Sequence, residues 1–391
     1  MDTPPGRQER FAEDNNECAI AMYARLRPQP GNLFFSPFSI RTALAMAHAG
    51  ARGETAAQME HALCIRSQHE HPHDGFAETV SRLNAVGTGE YEMAVANSLW
   101  VSDGAPPRAE YLELVARHYA GIANVIDFSQ GAEAARVVIN RWVENRTRQK
   151  IRDVIPPGGL DATSLVLVNA VYFKGMWALP FRNSATHDEP FYREGGGKIQ
   201  APLMHQLRHV LHTQAQDYQA VDLLYRGSDV SMLILLPDRK DGLADLENDL
   251  LAGALHDCVA NMVQRTVSLF LPRFQITWGT VNVREQLRSL GMPLAFTPFQ
   301  ADFSGINGHE PPHEESLFVS DVFHKATVEV NEEGTTAAAA PAVGMRVGAA
   351  MTSTALRVPP TFRADHPFLF AIRDRTTGAI LFLGRVTDPT R

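Results

Sequence analysis

One alternating strand that runs straight into a stretch of small residues constrains the fold of this chain more than any other feature. Residues 318–330 alternate between apolar and polar side chains, a pattern typical of a β-strand. The pattern ends at Glu332 and Glu333, and Gly334, two threonines and four alanines follow. Such a segment is either a flexible surface loop or a strand that has not yet joined a sheet, because small side chains fit between two existing strands.

Four separate blocks of the sequence carry a family resemblance. The first is the run that begins at Glu332, and the others are residues 169–175 with Trp177, residues 34–40, and residues 362–370. In that order they resemble the hinge, the central-strand signature, the start of the second helix and the C-terminal signature of the serpins. Because the blocks stand in the family's order and span about residues 8–389, the chain is identified as a member, similar in detail to bacterial and plant serpins.

The resemblance implies an α+β fold with three β-sheets, eight or nine α-helices and an exposed reactive-centre loop at about residues 332–361. Hydrophobic periodicity agrees with a mixed class, because helical patterns come mostly first and strand patterns dominate after about residue 200. The helical patterns cover residues 55–63, 76–86, 109–119 and 132–150, and strand patterns cover 91–101, 165–172, 368–373 and 379–386. Residues 165–172 are nearly all apolar, which predicts a strand covered on both faces. No Pro/Ser-rich linker or charge block divides the chain, so we expect one domain over residues 1–391.

Charge and cysteine content exclude several kinds of partner. The net charge of −8 offers no basic surface for nucleic acid or heparin-like polyanions. Cys18, Cys64 and Cys258 are widely spaced and include no C-x-x-C pair, so neither a disulfide framework nor a zinc site is expected. No apolar run is long enough to span a membrane. The cysteines and the lack of a visible signal peptide favour the cytoplasm, and an extracellular location stays open if the chain is trimmed.

Two histidine-rich stretches suggest a metal site, but the local sequence argues against both. Residues 309–313 formally match the H-E-x-x-H zinc motif, which requires a helix to place both imidazoles on one face. Pro311 and Pro312 remove helical hydrogen bonds inside that span, so we expect a polar surface loop. Residues 69–73 hold three histidines around Pro72, and a solvated loop is favoured there over adventitious metal binding. Without a nucleophile elbow, a P-loop or a dinucleotide fingerprint, the sequence predicts no enzyme, no catalytic residue, no metal and no cofactor.

The resemblance also implies a mechanism of inhibition without turnover. In inhibitory serpins a serine protease attacks the loop as if it were substrate, and the hinge side of the cut loop inserts into the largest sheet while the acyl-enzyme is still covalent. By position, Glu332 and Glu333 begin the hinge, Gly334 is its pivot, and Thr335 is the first residue whose side chain turns inward. Counted from Thr335, the two-residue period of a strand gives a buried face that also contains Ala337, Ala339 and Pro341.

Two further groups of residues follow from the resemblance. Glu332 is expected to pair with Arg273 near Trp177, in the region where the sheet opens first, called the breach. A polar cluster is expected under the centre of the sheet, where the strands part, in the region called the shutter; its residues are Ser36, Ser39, Asn169 and His324. The alternative for His324 is a core histidine with satisfied hydrogen bonds and no wider role.

The position of the reactive bond follows from a count along the loop. Sixteen positions beyond Glu332 is Gly348, which predicts cleavage between Gly348 and Ala349 by an elastase- or subtilisin-like protease, because the neighbouring residues are small and apolar. The alternative is cleavage between Arg346 and Val347 by a trypsin-like protease. A third site at residues 356–357 would make the inserting arm unusually long.

The hinge departs from the family pattern at two positions. Thr336 replaces the usual Glu, but its side chain faces outward after insertion and matters little. Pro341 stands where the family usually has Thr, and a proline cannot donate a hydrogen bond to a sheet. Despite these two departures, the resemblance favours a monomeric serine protease inhibitor. The alternative is a non-inhibitory serpin with a binding, chaperone or storage role, whose loop is cut as a plain substrate.

Overall fold

Helices dominate the first third of the chain and strands the remainder, as the periodicity predicts. The computed structural model describes residues 6–66, 73–86, 91–119, 121–128, 131–160, 164–334 and 358–391. Within these ranges the α-helices are α1 (Arg7–Leu26), α2 (Pro37–Gly50), α3 (Gly53–Ala62), α4 (Asp74–Val86), α5 (Ala109–Tyr119), α6 (Ala132–Arg146), α7 (Leu243–Leu251), α8 (Ala254–Ala260), α9 (Arg284–Ser289) and α10 (Ser304–Asn307). The strands in the same ranges are β1 (Leu33–Phe35), β2 (Tyr91–Ser102), β3 (Ile122–Ile126), β4 (Leu165–Gly175), β5 (Thr186–Tyr192), β6 (Lys198–Gln214), β7 (Tyr218–Leu224), β8 (Val230–Pro237), β9 (Val263–Pro272), β10 (Phe274–Asn282), β11 (Val319–Val330), β12 (Thr361–Arg363), β13 (Phe368–Asp374) and β14 (Ile380–Val386).

The α+β class is confirmed, and the helix count is slightly higher than expected. The described residues contain ten α-helices in place of the eight or nine expected. The two shortest, α9 and α10, have six and four residues, which is too short for a periodic pattern to be recognised in the sequence.

Five strands form the sheet that leads into the predicted hinge, and we call it the hinge sheet. Its order is β10-β11-β4-β2-β3. The pair β11–β4 is parallel and runs from Val319 opposite Leu165 to Val328 opposite Phe173. The pairs that flank it, β10–β11 and β4–β2, are antiparallel. The strand that leads into the hinge, β11, is therefore the parallel neighbour of the middle strand, β4.

The other nine strands form one joined sheet, in the order β1-β14-β13-β8-β7-β6-β9-β12 with β5 attached to β6. The join is β6, whose 17 residues pair with β5 over the first part of the strand and with β7 over its last four residues. The same strand pairs with β9 along its other edge. Because β6 belongs to both groups of strands, the described residues show two hydrogen-bonded sheets where three were expected. The hinge sheet, with five strands, is consequently the smaller of the two.

The hinge sheet is buried on both faces. On one face α6 packs against β2, and its Ile139 and Val143 belong to the same buried cluster as Val166 and Val168 of β4. On the other face α2 packs against β2 and β4, and it also contacts β14 of the joined sheet. The prediction that the strand at 165–172 is covered on both sides is therefore confirmed. The start of α2 lies under the centre of the hinge sheet.

Candidate functional site

An ion pair fixes the beginning of the predicted hinge to the joined sheet. Glu332 follows β11 directly, and its carboxylate accepts hydrogen bonds from Nε of Arg273 at 2.7 Å to both oxygens. The hydroxyl of Thr186, at the start of β5, also donates to this carboxylate. The Glu332 residue is 4% exposed, so the pair is held at the edge of the interior. The family resemblance implies a contact between Glu332 and Arg273, and the structure places the two side chains together.

The surroundings of Glu332 keep its carboxylate ionised. Burial alone favours the neutral carboxyl, but the hydrogen bonds from Arg273 and Thr186 outweigh burial and hold the pKa of Glu332 below its ordinary value. Nε of Arg273 donates to one carboxylate oxygen and Nη2 to the other, which is the bidentate geometry that makes such pairs strong. The site therefore has a charged contact at the point where the hinge leaves the sheet.

Trp177 joins the hinge to the end of β4. Its ring is fully buried and stacks on Tyr225, with ring centroids 4.6 Å apart and planes 7° from parallel. The indole Nε1 donates to the backbone oxygen of Asn331 at 2.9 Å, and the backbone N–H of Trp177 donates to the oxygen of Glu333 at 3.0 Å. The first hinge residues thus already hydrogen-bond to the chain that continues β4. Among the described contacts, the backbone of Glu333 is hydrogen-bonded, whereas its side chain forms no ion pair.

Gly334 occupies a position that no other residue fits. Its φ is +91°, in the left-handed region that favours glycine. A Cβ atom at this position would lie 2.3 Å from the oxygen of Gly175 and 2.3 Å from the nitrogen of Trp177. The glycine is therefore required both by the turn of the chain and by the close approach of the hinge backbone to the end of β4.

A buried polar cluster lies where α2 meets the hinge sheet. Ser36 caps α2, since its hydroxyl accepts from the backbone N–H of Ser39 at 3.2 Å and donates to the oxygen of Leu381 at 2.7 Å. The Ser39 hydroxyl donates to Oδ1 of Asn97 at 2.9 Å. The amide nitrogen of Asn169 donates to both of these oxygen atoms, on Ser39 and Asn97. The structure therefore brings the predicted shutter residues on α2 and β4 into one hydrogen-bonded group.

His324 completes this cluster from β11. Its Nε2 accepts from the backbone N–H of Ser36 at 3.3 Å, and its Nδ1 donates to Oδ1 of Asn169. Only the neutral imidazole with the proton on Nδ1 satisfies both contacts. Complete burial lowers the pKa of His324 to about 3, which agrees with a neutral ring. His324 is thus a satisfied core histidine and a member of the cluster at the same time.

The sequence analysis missed two residues of these groups, Asn97 and Thr186. Asn97 lies on β2 directly opposite Asn169 of β4, and Thr186 begins β5, far along the chain from Glu332. The available signal for Asn97 was a pair of polar residues, Asn97 and Ser98, inside a strand segment that is otherwise apolar over residues 93–101. Thr186 carried no comparable signal, because its role depends on where β5 pairs.

The remaining predicted residues of the loop lie outside the described part of the chain. They are Thr335, Ala337, Ala339, Pro341, Arg346, Val347, Gly348 and Ala349. The described residues begin again at Val358. The chain then forms β12 at the edge of the joined sheet, paired in parallel with Ser268–Phe270 of β9. The described ends of the loop are therefore attached to two different sheets.

The H-E-x-x-H stretch is not a helix, as the prolines predict. His309 and His313 stack with their ring centroids 4.5 Å apart, and Nε2 of His309 lies 2.9 Å from a carboxylate oxygen of Glu315. Nδ1 of His313 accepts from the backbone N–H of Glu315 at 3.1 Å. His309, His313 and Glu315 each place one possible ligand atom within 4.8 Å of the others, so the expectation of no metal at this polar loop remains a prediction. Across the described ranges no helix is both long and apolar enough to cross a bilayer.

The chain is similar to serpins over nearly its whole length. A family model described as Serpin (serine protease inhibitor) matches residues 13–389. An uncharacterized serpin-like protein of Thermococcus kodakarensis is 39% identical over 98% of this chain and 87% of its own length. The leukocyte elastase inhibitor of Xenopus laevis is 37% identical over 92% of this chain and 93% of its own. The crystal structure of Serpin48 from the insect Tenebrio molitor aligns with a TM-score of 0.85 at 29% identity, covering 98% of this chain and 99% of that one.

Proposed function

Because this chain belongs to the serpin family, we propose that it inhibits a serine protease as a suicide substrate. The protease cuts the reactive-centre loop, and the hinge side of the loop enters the hinge sheet between β11 and β4 before the acyl-enzyme is hydrolysed. The observation that carries this proposal is the parallel pair β11–β4, which ends at a glycine-pivoted hinge.

The direction of the strands favours such an insertion. The chain leaves β11 at Val330 and turns at Gly334, so an arm that folds back into the sheet runs antiparallel to β11 and also to β4. One parallel ladder is then replaced by two antiparallel ladders, which are slightly more stable per residue. An inserted strand of roughly ten residues gains on the order of 10 kcal/mol, at about 1 kcal/mol net for each hydrogen bond. The uncut fold is therefore metastable in this proposal.

Insertion would separate the polar cluster into one group on β4, β2 and α2 and a single residue on β11. Asn169, Asn97 and Ser39 stay together on β4, β2 and α2, while His324 moves with β11. Among the described contacts of the cluster, the hydrogen bond from His324 to Asn169 is the one that joins β11 to β4. Its loss costs about 1 kcal/mol, which is small against the gain from insertion. The shutter role assigned to these residues is part of the proposal.

The test of this function is the formation of a covalent complex. We expect a 1:1 complex that resists SDS with at least one member of a serine protease panel. The mass of the complex, allowing for loss of the C-terminal fragment from the 43.1 kDa chain, shows whether one inhibitor chain is bound to one protease. Nicking the loop should raise Tm by about 10 °C or more, given roughly 2.1 cal/mol/K of unfolding entropy per residue. Finding neither a complex nor a rise in Tm would overturn the inhibitory function.

The protease class depends on which bond is cut. We expect the small fragment released from the complex to begin at Ala349, because the count from Glu332 places the bond after Gly348. N-terminal sequencing or intact mass of that fragment measures it directly. A fragment that begins at Val347 would assign the bond to Arg346 and the target to trypsin-like proteases, in place of elastase- or subtilisin-like ones.

Pro341 favours the second candidate function, a non-inhibitory serpin whose loop is merely cut. In an inserted strand it leaves a neighbouring carbonyl without a donor, at a cost of about 1–3 kcal/mol. We expect Pro341→Thr to speed insertion, so that a larger fraction of encounters ends in complex and a smaller one in cleaved loop. The measurement is the number of inhibitor molecules consumed for each protease trapped, with Pro341→Ala as the matched variant that restores the N–H without the hydroxyl. An unchanged number in both variants would show that the proline does not govern this partition.

A further inference from the structure

Two of the cysteines that the sequence analysis treated as isolated lie side by side. Cys18 is on α1 and is fully buried, and Cys64 follows the end of α3 and is half-buried. The Cys18 sulfur lies 3.9 Å from the backbone oxygen of Ala62, two residues before Cys64. Each thiol is the neighbour that most affects the pKa of the other, which agrees with this proximity.

The backbone at Cys64 is unusual for a cysteine. Its φ is +51°, in the left-handed region. The N–H of Cys64 bonds to the oxygen of His61 at 3.2 Å, and the N–H of Ile65 bonds to the oxygen of Glu60 at 2.9 Å. These two bonds define a Schellman turn at the end of α3, and the left-handed position of such a turn is normally filled by glycine. The end of the helix therefore does not explain why a cysteine stands here.

A buried cation lies beside the two thiols. The Arg41 guanidinium, on α2, donates from Nε to the oxygen of Leu63 at 2.8 Å and from Nη2 to the oxygen of Cys64 at 3.2 Å. The hydrogen bond from Cys18 lowers the pKa of the Cys64 thiol despite partial burial, and the charge of Arg41 acts in the same direction. The same hydrogen bond, with burial, raises the pKa of Cys18. The half-buried thiol is thus the more acidic of the two, as a nucleophile in thiol exchange has to be.

We propose that Cys18 and Cys64 form a reversible disulfide that cross-links α1 to the end of α3. The Cys64 thiolate attacks one sulfur of a low-molecular-weight disulfide such as oxidised glutathione, which forms a mixed disulfide and releases one glutathione thiolate. Cys18 then loses its proton and attacks the Cys64 sulfur, which forms the protein disulfide and releases the second thiolate. The two protein thiols lose two electrons in total, the oxidant gains them, and the two protons pass to the two released thiolates.

Cys258 serves as an internal control for this reaction. It lies on α8, and burial raises the pKa of its thiol to about 12. A thiol of this kind is inert to exchange in the folded protein. The proposal therefore predicts that oxidation changes two of the three cysteines and spares the third.

The full-length protein is equilibrated in buffers of oxidised and reduced glutathione. Thiol exchange is then quenched, and the protein is unfolded and alkylated. We expect one alkylated cysteine after oxidation and three after reduction, with a mass loss of about 2 Da before alkylation. Peptide mapping should join the peptides that contain Cys18 and Cys64. The oxidised form should also melt several degrees higher than the reduced one, since the bond closes a long loop.

Three variants make the result decisive. Cys258→Ala should retain the oxidation, whereas Cys18→Ala and Cys64→Gly should each abolish it. The glycine suits the left-handed position, so Cys64→Gly is expected to remain folded. A stable glutathione adduct on Cys64 with no internal bond would overturn the proposal, and so would three alkylated cysteines after oxidation. Neither outcome bears on protease inhibition, which is measured separately by complex formation.

Discussion

Replacing Thr335 with arginine is expected to turn the protein from an inhibitor into an ordinary protease substrate. Thr335 follows Gly334 and is the first residue whose side chain would enter the hinge sheet on insertion. A buried cation without a partner costs several kcal/mol, which blocks insertion at its first step while the acyl-enzyme continues to hydrolysis. The measurement is the fraction of protease trapped in SDS-resistant complex, which should fall to background while the loop is still cut.

Thr336→Arg is the matched control for this substitution. The alternation of a strand turns the side chain of residue 336 outward after insertion, so the same cation should be tolerated there. We expect Thr336→Arg to form as much complex as the original protein does. Before cleavage, both variants should have the Tm of the original protein. Undiminished trapping by Thr335→Arg would overturn the hinge assignment and leave the family membership intact.

The second large effect is a loss of stability in acid that comes from one histidine. In the unfolded chain a histidine takes up a proton near pH 6.5, whereas burial lowers the pKa of folded His324 to about 3. Between these two pH values the unfolded state holds a proton that the folded state lacks, so stability falls as the pH falls. The loss from this residue amounts to about 3 kcal/mol at pH 4, at 1.36 kcal/mol for each unit. Denaturant unfolding at a series of pH values between 7 and 4 measures it.

His324→Gln isolates that contribution from the carboxylates that titrate in the same range. Its amide can accept from the N–H of Ser36 and donate to Asn169, but it does not titrate. We expect the variant to be modestly less stable at pH 7 and to lose less stability than the original protein between pH 6.5 and pH 4. His187→Gln, at an exposed position on β5, should follow the original curve. Identical curves for His324→Gln and the original protein would refute the titration of His324 as the cause.

The elements next to the site were predictable because their signals are local. β4 and β11 stand out as apolar or alternating runs, Ser36 and Pro37 mark the start of α2, and Gly334 marks the turn. The partner of Asn169 was not predictable in this way. Asn97 becomes a neighbour only when β2 and β4 pair in a particular register, and strand register is a property of the assembled sheet.

The number of sheets escaped prediction for a related reason. The sequence of β6 identifies a strand, but its pairing with β5, β7 and β9 depends on residues distant in the chain. The proximity of Cys18 to the end of α3 has the same origin, since α1 and α3 both pack on α2. Chemistry that a few adjacent residues encode was visible in the sequence, whereas contacts between distant elements were expected only where the family resemblance implied them, as for Glu332 with Arg273.

If the loop inserts as proposed, the attachment of β12 opposes insertion in the uncut protein. The strand has three residues, pairs with β9 at the edge of the joined sheet, and is further held by Arg363, whose guanidinium contacts Glu189 and lies 4.6 Å from the ring centre of Phe270. A protease cut frees the hinge side of the loop from this anchor. Without a cut, insertion of the same arm into the hinge sheet has to pull β12 away from β9. Under the proposed mechanism, detachment of this short edge strand from the joined sheet is therefore expected to limit how long the uncut protein keeps its inhibitory form.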